Sequence, residues 1–210
     1  MEEKLPAWSG LHGVTANPKI ETAEQIVAQF RAEGCDSMAA IGGGSPMDAA
    51  KAAAARLARP NRSVGQLKGL LKVRRKIVPF AAVPTTAGTG SETTIAAVVT
   101  DETHHKYAVN DLCLIPRWAI LDPTLMVSLP AGVTAETGLD ALTHAVEAYI
   151  GRFYNTRETR SLARQAVAAI FQYLPTACAD GAEAEANPVY PVPVIFSKED
   201  FIRVARRVMP

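Results

Sequence analysis

Asp36-Ser37-Met38-Ala39-Ala40-Ile41-Gly42-Gly43-Gly44-Ser45-Pro46-Met47-Asp48 decides how this chain is read. Residues 36–41 turn apolar and stop in three glycines, which marks a short buried strand entering a tight turn. A helix start follows, with Ser45 as N-cap, Pro46 at the first position and Asp48 in the first turn. The alanine-rich stretch to Leu57 continues that helix. Glycines let the backbone approach a ligand, and a helix start offers unpaired N–H groups and the positive end of a dipole. This combination suits a pyrophosphate. The spacing is not Gly-x-Gly-x-x-Gly, and a ligand-free strand-to-helix turn has the same composition.

Upstream, Ile20 to Glu33 reads as an amphipathic helix with Ile26, Val27 and Phe30 in its apolar stripe and Gly34 as its stop. Downstream, Ile77 to Val83 is a second buried strand. It runs into Pro84-Thr85-Thr86-Ala87-Gly88-Thr89-Gly90-Ser91-Glu92, a hydroxyl-rich loop expected beside the first turn at the carboxyl edge of the sheet, where open α/β folds bind ligands. Thr93 to Thr100 is β-branched, with Lys106 to Val109 as its hairpin partner. Trp118 to Leu121 is a further strand, ended by Asp122-Pro123. Helical patterns then cover about Ala135 to Ile150 and Thr156 to Tyr173. The prolines at 188, 191 and 193 forbid a helix, and a last one starts at Ser197. The fold class is α/β: a partial parallel sheet over residues 1–130, then an all-helical part over 131–210.

The chain has 210 residues, 48% of them hydrophobic, and a net charge of +1. That balance gives no sign of a nucleic-acid or membrane partner. No apolar run reaches transmembrane length, and the N-terminus lacks the apolar core of a signal peptide. Cys35, Cys113 and Cys178 fit neither a disulfide framework nor a zinc knuckle. A cytoplasmic protein with reduced thiols is expected.

The chemistry concentrates in Gly138-Leu139-Asp140-Ala141-Leu142-Thr143-His144-Ala145-Val146-Glu147. Helix positions i and i+4 share a face, so Asp140 and His144 converge as two metal ligands would. A core histidine and a first-turn carboxylate give the same spacing. Glu147 reads as an exposed charge. Lys106, His104 and His105 read as solvated, and His12 has no assigned role.

Three stretches, Gly42 to Lys51, Pro84 to Glu92 and Gly138 to Glu147, closely resemble the iron-containing (group III) alcohol dehydrogenases in order and spacing. The resemblance runs from about Asn17 to Gly181. It implies a dinucleotide-binding α/β domain, a helical domain and an active site in the cleft between them. Gly42, Gly43, Gly44 and Ser45 would bind the NAD(P) pyrophosphate, with Asp48 close by. Thr85, Thr86 and Thr89 would line the cofactor, and Lys106 would reach the nicotinamide ribose. Asp140 and His144 would be catalytic as two of four ligands to Fe²⁺, in some members Zn²⁺, polarising the oxygen of a small alcohol or aldehyde.

The sequence also departs from the family pattern. The other two family ligands are histidines, and none follows His144. Most of the helical domain is expected to be missing between about Glu183 and Asn187, and the first strand–helix unit at the N-terminus. Two ligands would hold metal weakly, and uncovered helix faces would favour a homo-oligomer. Two other readings share the residues: a non-catalytic remnant that at most binds nucleotide, and a dehydroquinate-synthase-like lyase. The Asp140/His144 spacing favours the dehydrogenase branch over the lyase.

Overall fold

The computed structural model describes residues 9–151 and 155–180. In chain order these form α1 (Ile20–Ala32), β1 (Met38–Gly42), α2 (Gly44–Ala58), β2 (Gly69–Leu70), β3 (Phe80–Pro84), β4 (Ala96–Thr100), β5 (Lys106–Asn110), β6 (Trp118–Ala119), α3 (Ala131–Ile150) and α4 (Arg157–Asp180). They fall into two compact units. One holds the described residues up to Pro84 together with Ser91–Leu121; the other holds Thr85–Gly90 and the described residues from Asp122 onward. The helix expected at Ser197 lies outside the described residues.

The first unit is built on two small sheets. β1, β3 and β6 run parallel in the order β1-β3-β6. Gly42 pairs with Pro84, so β1 and β3 end together at one carboxyl edge. The glycine turn and the hydroxyl-rich loop leave from adjacent strand ends, as their sequences suggest. The second sheet, β2-β5-β4, contains the expected hairpin, with Thr100 opposite Lys106. Its third strand, β2, is two residues long and has no sequence signature.

α2 lies at the heart of this unit. Met47 and Ala50 pack with Ala40, Phe80 and Ala82 of β1 and β3. Ala52, Ala53 and Ala55 pack with Ala23 and Val27 of α1 and with Val99 and Val109 of the second sheet. A helix enclosed on several sides carries small apolar residues all round rather than a stripe, and this accounts for the run of alanines. Its start differs from the sequence expectation. Gly43, not Ser45, is the N-cap, and no side chain caps the first turn. Ser45 and Pro46 sit inside that turn. Pro46 is tolerated there because the first four N–H groups of a helix have no intrahelical acceptor to lose.

In the second unit α3 and α4 pack together. The buried positions of α3 are Gly138, Ala141 and Ala145, a narrow small-residue seam. Asn155 holds the C-terminal end of α3, its Nδ2 donating to the carbonyls of Ala148, Tyr149 and Gly151 at 2.9, 2.9 and 2.7 Å. α4 outruns its expected end at Tyr173 and contains Pro175. The helix runs two residues past the expected end to Pro175 and continues through it to Asp180, with Ala177 and Ala179 the strong helix formers beyond.

The glycines of this unit yield a prediction. A Cβ at Gly88 would collide with the carbonyl of Thr137, whereas at Gly138 the nearest atoms are those of the Leu174 side chain beyond its Cβ. Backbone cannot yield, so Gly88→Ala is expected to cost about 1–3 kcal/mol. Gly138→Ala gains about 1 kcal/mol of helix propensity against a side chain that can rotate, and is expected near zero. Urea unfolding of the two variants checks the order; equal losses would contradict it.

Candidate functional site

The glycine turn is shaped by backbone geometry. Gly42 has φ +145°, a region that side chains disfavour. A Cβ there would stand 2.7 Å from Cγ of the Pro46 ring. The first turn of α2 beyond it receives no side-chain cap, which leaves its N–H groups directed along the helix axis with the dipole's positive end.

One turn into α2 lies a buried ionic cluster. Asp48 Oδ1 accepts from Ser91 Oγ at 2.7 Å and Oδ2 from the Val98 amide at 3.1 Å. Both oxygens are therefore engaged within the protein. Lys51 is fully buried. Its Nζ donates to the carbonyls of Ser91, Thr94 and Ala96 and to Thr94 Oγ1, the last three at 2.8, 3.0 and 3.1 Å. Burial pushes the Lys51 ammonium down to about 8, against the pull of Asp48 and Glu92. Burial likewise raises Asp48, opposed by Ser91, Val98 and Lys51, and raises Glu92. Nothing in the sequence marks Lys51, since a lone lysine in an alanine helix reads as a solvated charge. The buried alanines on both sides of it are the signal that was available.

The remaining cofactor candidates are placed as follows. Thr85, Thr86 and Thr89 are part-buried in the loop after β3. Thr86 Oγ1 is buried without a hydrogen-bond partner among the described residues, so its hydroxyl is available to a ligand. Lys106 is exposed at the start of β5. His104 and His105 close the hairpin at the surface, His104 at φ +63° and His105 Nδ1 3.0 Å from Thr103 Oγ1.

Asp140 and His144 project from the exposed side of α3. Asp140 Oδ1 lies 3.7 Å from His144 Nε2, and both side chains are about half exposed. The pair faces one point, as the spacing requires. No group of three or more His, Cys, Asp or Glu able to hold a metal occurs among the described residues. Glu147 is exposed one turn on.

The buried lysine sets a pH-dependent expectation. Lys51→Met leaves three carbonyls and two carboxyl groups without their cation, and is expected to cost about 3–5 kcal/mol at pH 7. The folded pKa of about 8 lies below the ordinary 10.5, so between these values the unfolded chain binds more protons. Stability from this titration is fully present above 10.5 and is lost as pH falls to about 8. The stability gap between wild type and Lys51→Met should widen from pH 8 to 10, by at most about 1.4 kcal/mol per pH unit. Denaturant unfolding across that range measures it, and a constant gap would refute it.

Comparison with known proteins identifies the family. Residues 1–123 match the family model for iron-containing alcohol dehydrogenases, and residues 134–190 match that family's C-terminal model. The matches extend beyond the Asn17-to-Gly181 stretch that carries the motifs. The chain is 46% identical over 172 residues to the NAD-dependent methanol dehydrogenase of Bacillus methanolicus, covering 81% of this chain and 45% of that one. It is 40% identical over 176 residues to alcohol dehydrogenase 4 of Schizosaccharomyces pombe, covering 83% and 41%. Alcohol dehydrogenase from Oenococcus oeni superposes with a TM-score of 0.77 at 38% identity, covering 81% of this chain and 44% of that structure. The chain thus spans less than half the length of these relatives. With its glycine turn, its hydroxyl-rich loop and its Asp140/His144 pair in family order, the chain belongs to the iron-containing alcohol dehydrogenase family.

Proposed function

We propose that this chain binds NAD(P) through the Gly42–Gly43–Gly44–Ser45 turn and contributes to alcohol–aldehyde oxidoreduction. The observation that carries the reading is the uncapped start of α2, reached through a residue that only glycine suits, at the carboxyl edge of a parallel sheet. The free Thr86 hydroxyl supports it, as a donor awaiting an acceptor. Thr85, Thr89 and Lys106 belong to the same proposed cofactor set. Asp48 acts there by holding Ser91 and β4 against α2. Bound NAD(P) supplies the hydride acceptor or donor, and the protein's part is to position it.

The metal is a different case. Asp140 and His144 have the donor chemistry for Fe²⁺ or Zn²⁺, but a catalytic centre takes at least three protein ligands, and the described residues supply two here. The residues do not fit a complete centre. This favours a second reading, in which the chain alone binds nucleotide without turning over. In it, residues 1–130 serve the dinucleotide and 131–210 carry half a metal site.

No described helix is long and apolar enough to cross a membrane. The cytoplasm is the compartment we propose, on three unpaired cysteines. A homo-oligomer is proposed on the exposed Leu139, Ile150 and Phe171.

NADH fluorescence on the purified chain tests the cofactor half. Binding is expected in wild type and at least tenfold weaker in Gly42→Val. Folded protein that ignores NADH and NADPH would sink this reading. Reduction of a short aldehyde with added Fe²⁺ or Zn²⁺ tests the other half, and no turnover is expected. Metal-dependent turnover lost in Asp140→Ala would show that the missing donors are recruited, overturning the second reading.

A further inference from the structure

The balanced net charge hides an uneven distribution. Between Asp48 and Glu92 the sequence holds no acidic residue and nine of the chain's 22 lysines and arginines. One of these, Lys51, is consumed in the core. Most of the others gather where α2 ends and the chain turns through β2. There Arg59, Arg62, Lys72 and Arg74, with Leu70 and Leu71, line a pocket of about 340 Å³.

Several observations separate this pocket from an ordinary solvated face. The loop bearing two of its cations is held in a shape that side-chain-bearing residues seldom adopt, with Leu71 at φ +54° and Arg74 at φ +46°. It is pinned from three directions. Asp111 Oδ2 accepts from the amides of Val73 and Arg74 at 3.0 and 2.9 Å. The Leu71 amide donates to the Asn110 carbonyl at 2.7 Å. Arg59 Nε donates to the Val73 carbonyl, and Arg62 Nη1 to that of Lys72 at 3.4 Å. Thus bonds made to the loop's own backbone fix it, and the Lys72 and Arg74 side chains take no part in them. No ion pair between a carboxylate and any of the four lining cations occurs among the described residues. The neighbouring Arg56 is different: it pairs with Glu24 at 3.0 Å and serves the α2 end by donating to the Pro60 carbonyl at 2.8 Å. Asp111 is the carboxylate facing the cluster, and its oxygens are taken by amides. Desolvation, then the charges of Arg75, Arg62 and Arg74, draw the Arg59 pKa down, while Asp111 pulls the other way.

We propose that the pocket formed by Arg59, Arg62, Lys72 and Arg74 is an anion site for a compact, multiply charged phosphate group. Converging cations without counter-charges focus a positive potential, and guanidinium forks suit phosphate oxygens. The site is not the glycine turn. It lies at the other end of α2, whose 15 residues span about 22 Å at 1.5 Å per residue. The pocket size favours a di- or triphosphate over an extended polyanion, in keeping with the near-neutral whole chain.

Isothermal titration of the full chain with inorganic triphosphate tests this, at fixed ionic strength and with sulfate as comparison. One-to-one binding is expected, preferring triphosphate to sulfate. It should weaken at least tenfold in Lys72→Gln/Arg74→Gln, and stay within twofold in the exposed control Arg117→Gln. The double variant keeps every backbone bond of the loop, so its unfolding midpoint should match wild type. Binding unchanged in the double variant would overturn the proposal, as would equal response to sulfate or capture of a short RNA but not triphosphate. Displacement by NADH together with undiminished binding in the double variant would place the probe on the glycine turn, and would also overturn it. Failure here leaves the NADH result untouched, and failure of NADH binding leaves this one untouched.

Discussion

The first unit depends on a single buried ammonium. Lys51 enters the core from the middle of α2, where desolvating a charge costs several kcal/mol unless partners replace water. Its three carbonyl acceptors, at Ser91, Thr94 and Ala96, all belong to the segment leading into β4. That segment follows a glycine-rich loop and forms a short 3₁₀ turn, Ser91–Thr93, so much of its backbone has no ladder to join. Buried carbonyls without donors are expensive. The lysine and the segment therefore satisfy each other. Asp48, one turn earlier on the same helix, accepts from Ser91 Oγ and the Val98 amide. Two residues of one helix thus fix the stretch from Ser91 to Val98 against α2.

The alanines follow from the same constraint. For Lys51 to reach carbonyls beside β4, α2 must approach that strand closely while also packing on β1. Larger side chains at 49, 50, 52 or 53 would push one neighbour away and lengthen the lysine's bonds. Met47 and Phe80 then fill the space towards β1 and β3. Gly42 belongs to this argument as well. β1 must turn within two residues to deliver α2, and Pro46 stands where a side chain at 42 would go.

Much of this was legible in the sequence, and what was not had physical reasons. Strand, glycine turn and helix are local signals, and β1, α2 and β3 stand within a few residues of their expected places. The hairpin of β4 and β5 was legible from the β-branched run of 93–100 and its partner at 106–109. β2 was not, because two residues carry no periodicity and its pairing with β5 is set from a distance. Ser45 looked like a cap because serine before proline has the right chemistry, but a glycine at 43 reaches the extended cap geometry without needing a side chain. Lys51 carries no local signal of burial, since charge predicts exposure unless the helix is enclosed all round. The uneven placement of cations was invisible to a net charge of +1, although the acid-free run from 49 to 91 was there to be counted.

The Asp140/His144 pair shows where spacing stops being informative. An i, i+4 relation on a helix determines that two side chains share a face, and they do. It says nothing of whether other donors meet them, because a coordination sphere is a property of several elements at once. The packing of α3 makes the same point independently. Its buried seam is Gly138, Ala141 and Ala145, while Leu139 and Ile150 remain 55% and 68% exposed. A helix that buried its full apolar surface would gain about 1.5–3 kcal/mol for each such side chain covered. Here the Asp140 and His144 side chains and apolar ones are open together, on a chain spanning less than half of its relatives. The glycine turn sits instead in a unit whose core closes around α2. The proposed nucleotide site and the Asp140/His144 pair therefore rest on separate foundations in this chain, and the first does not require the second to be complete.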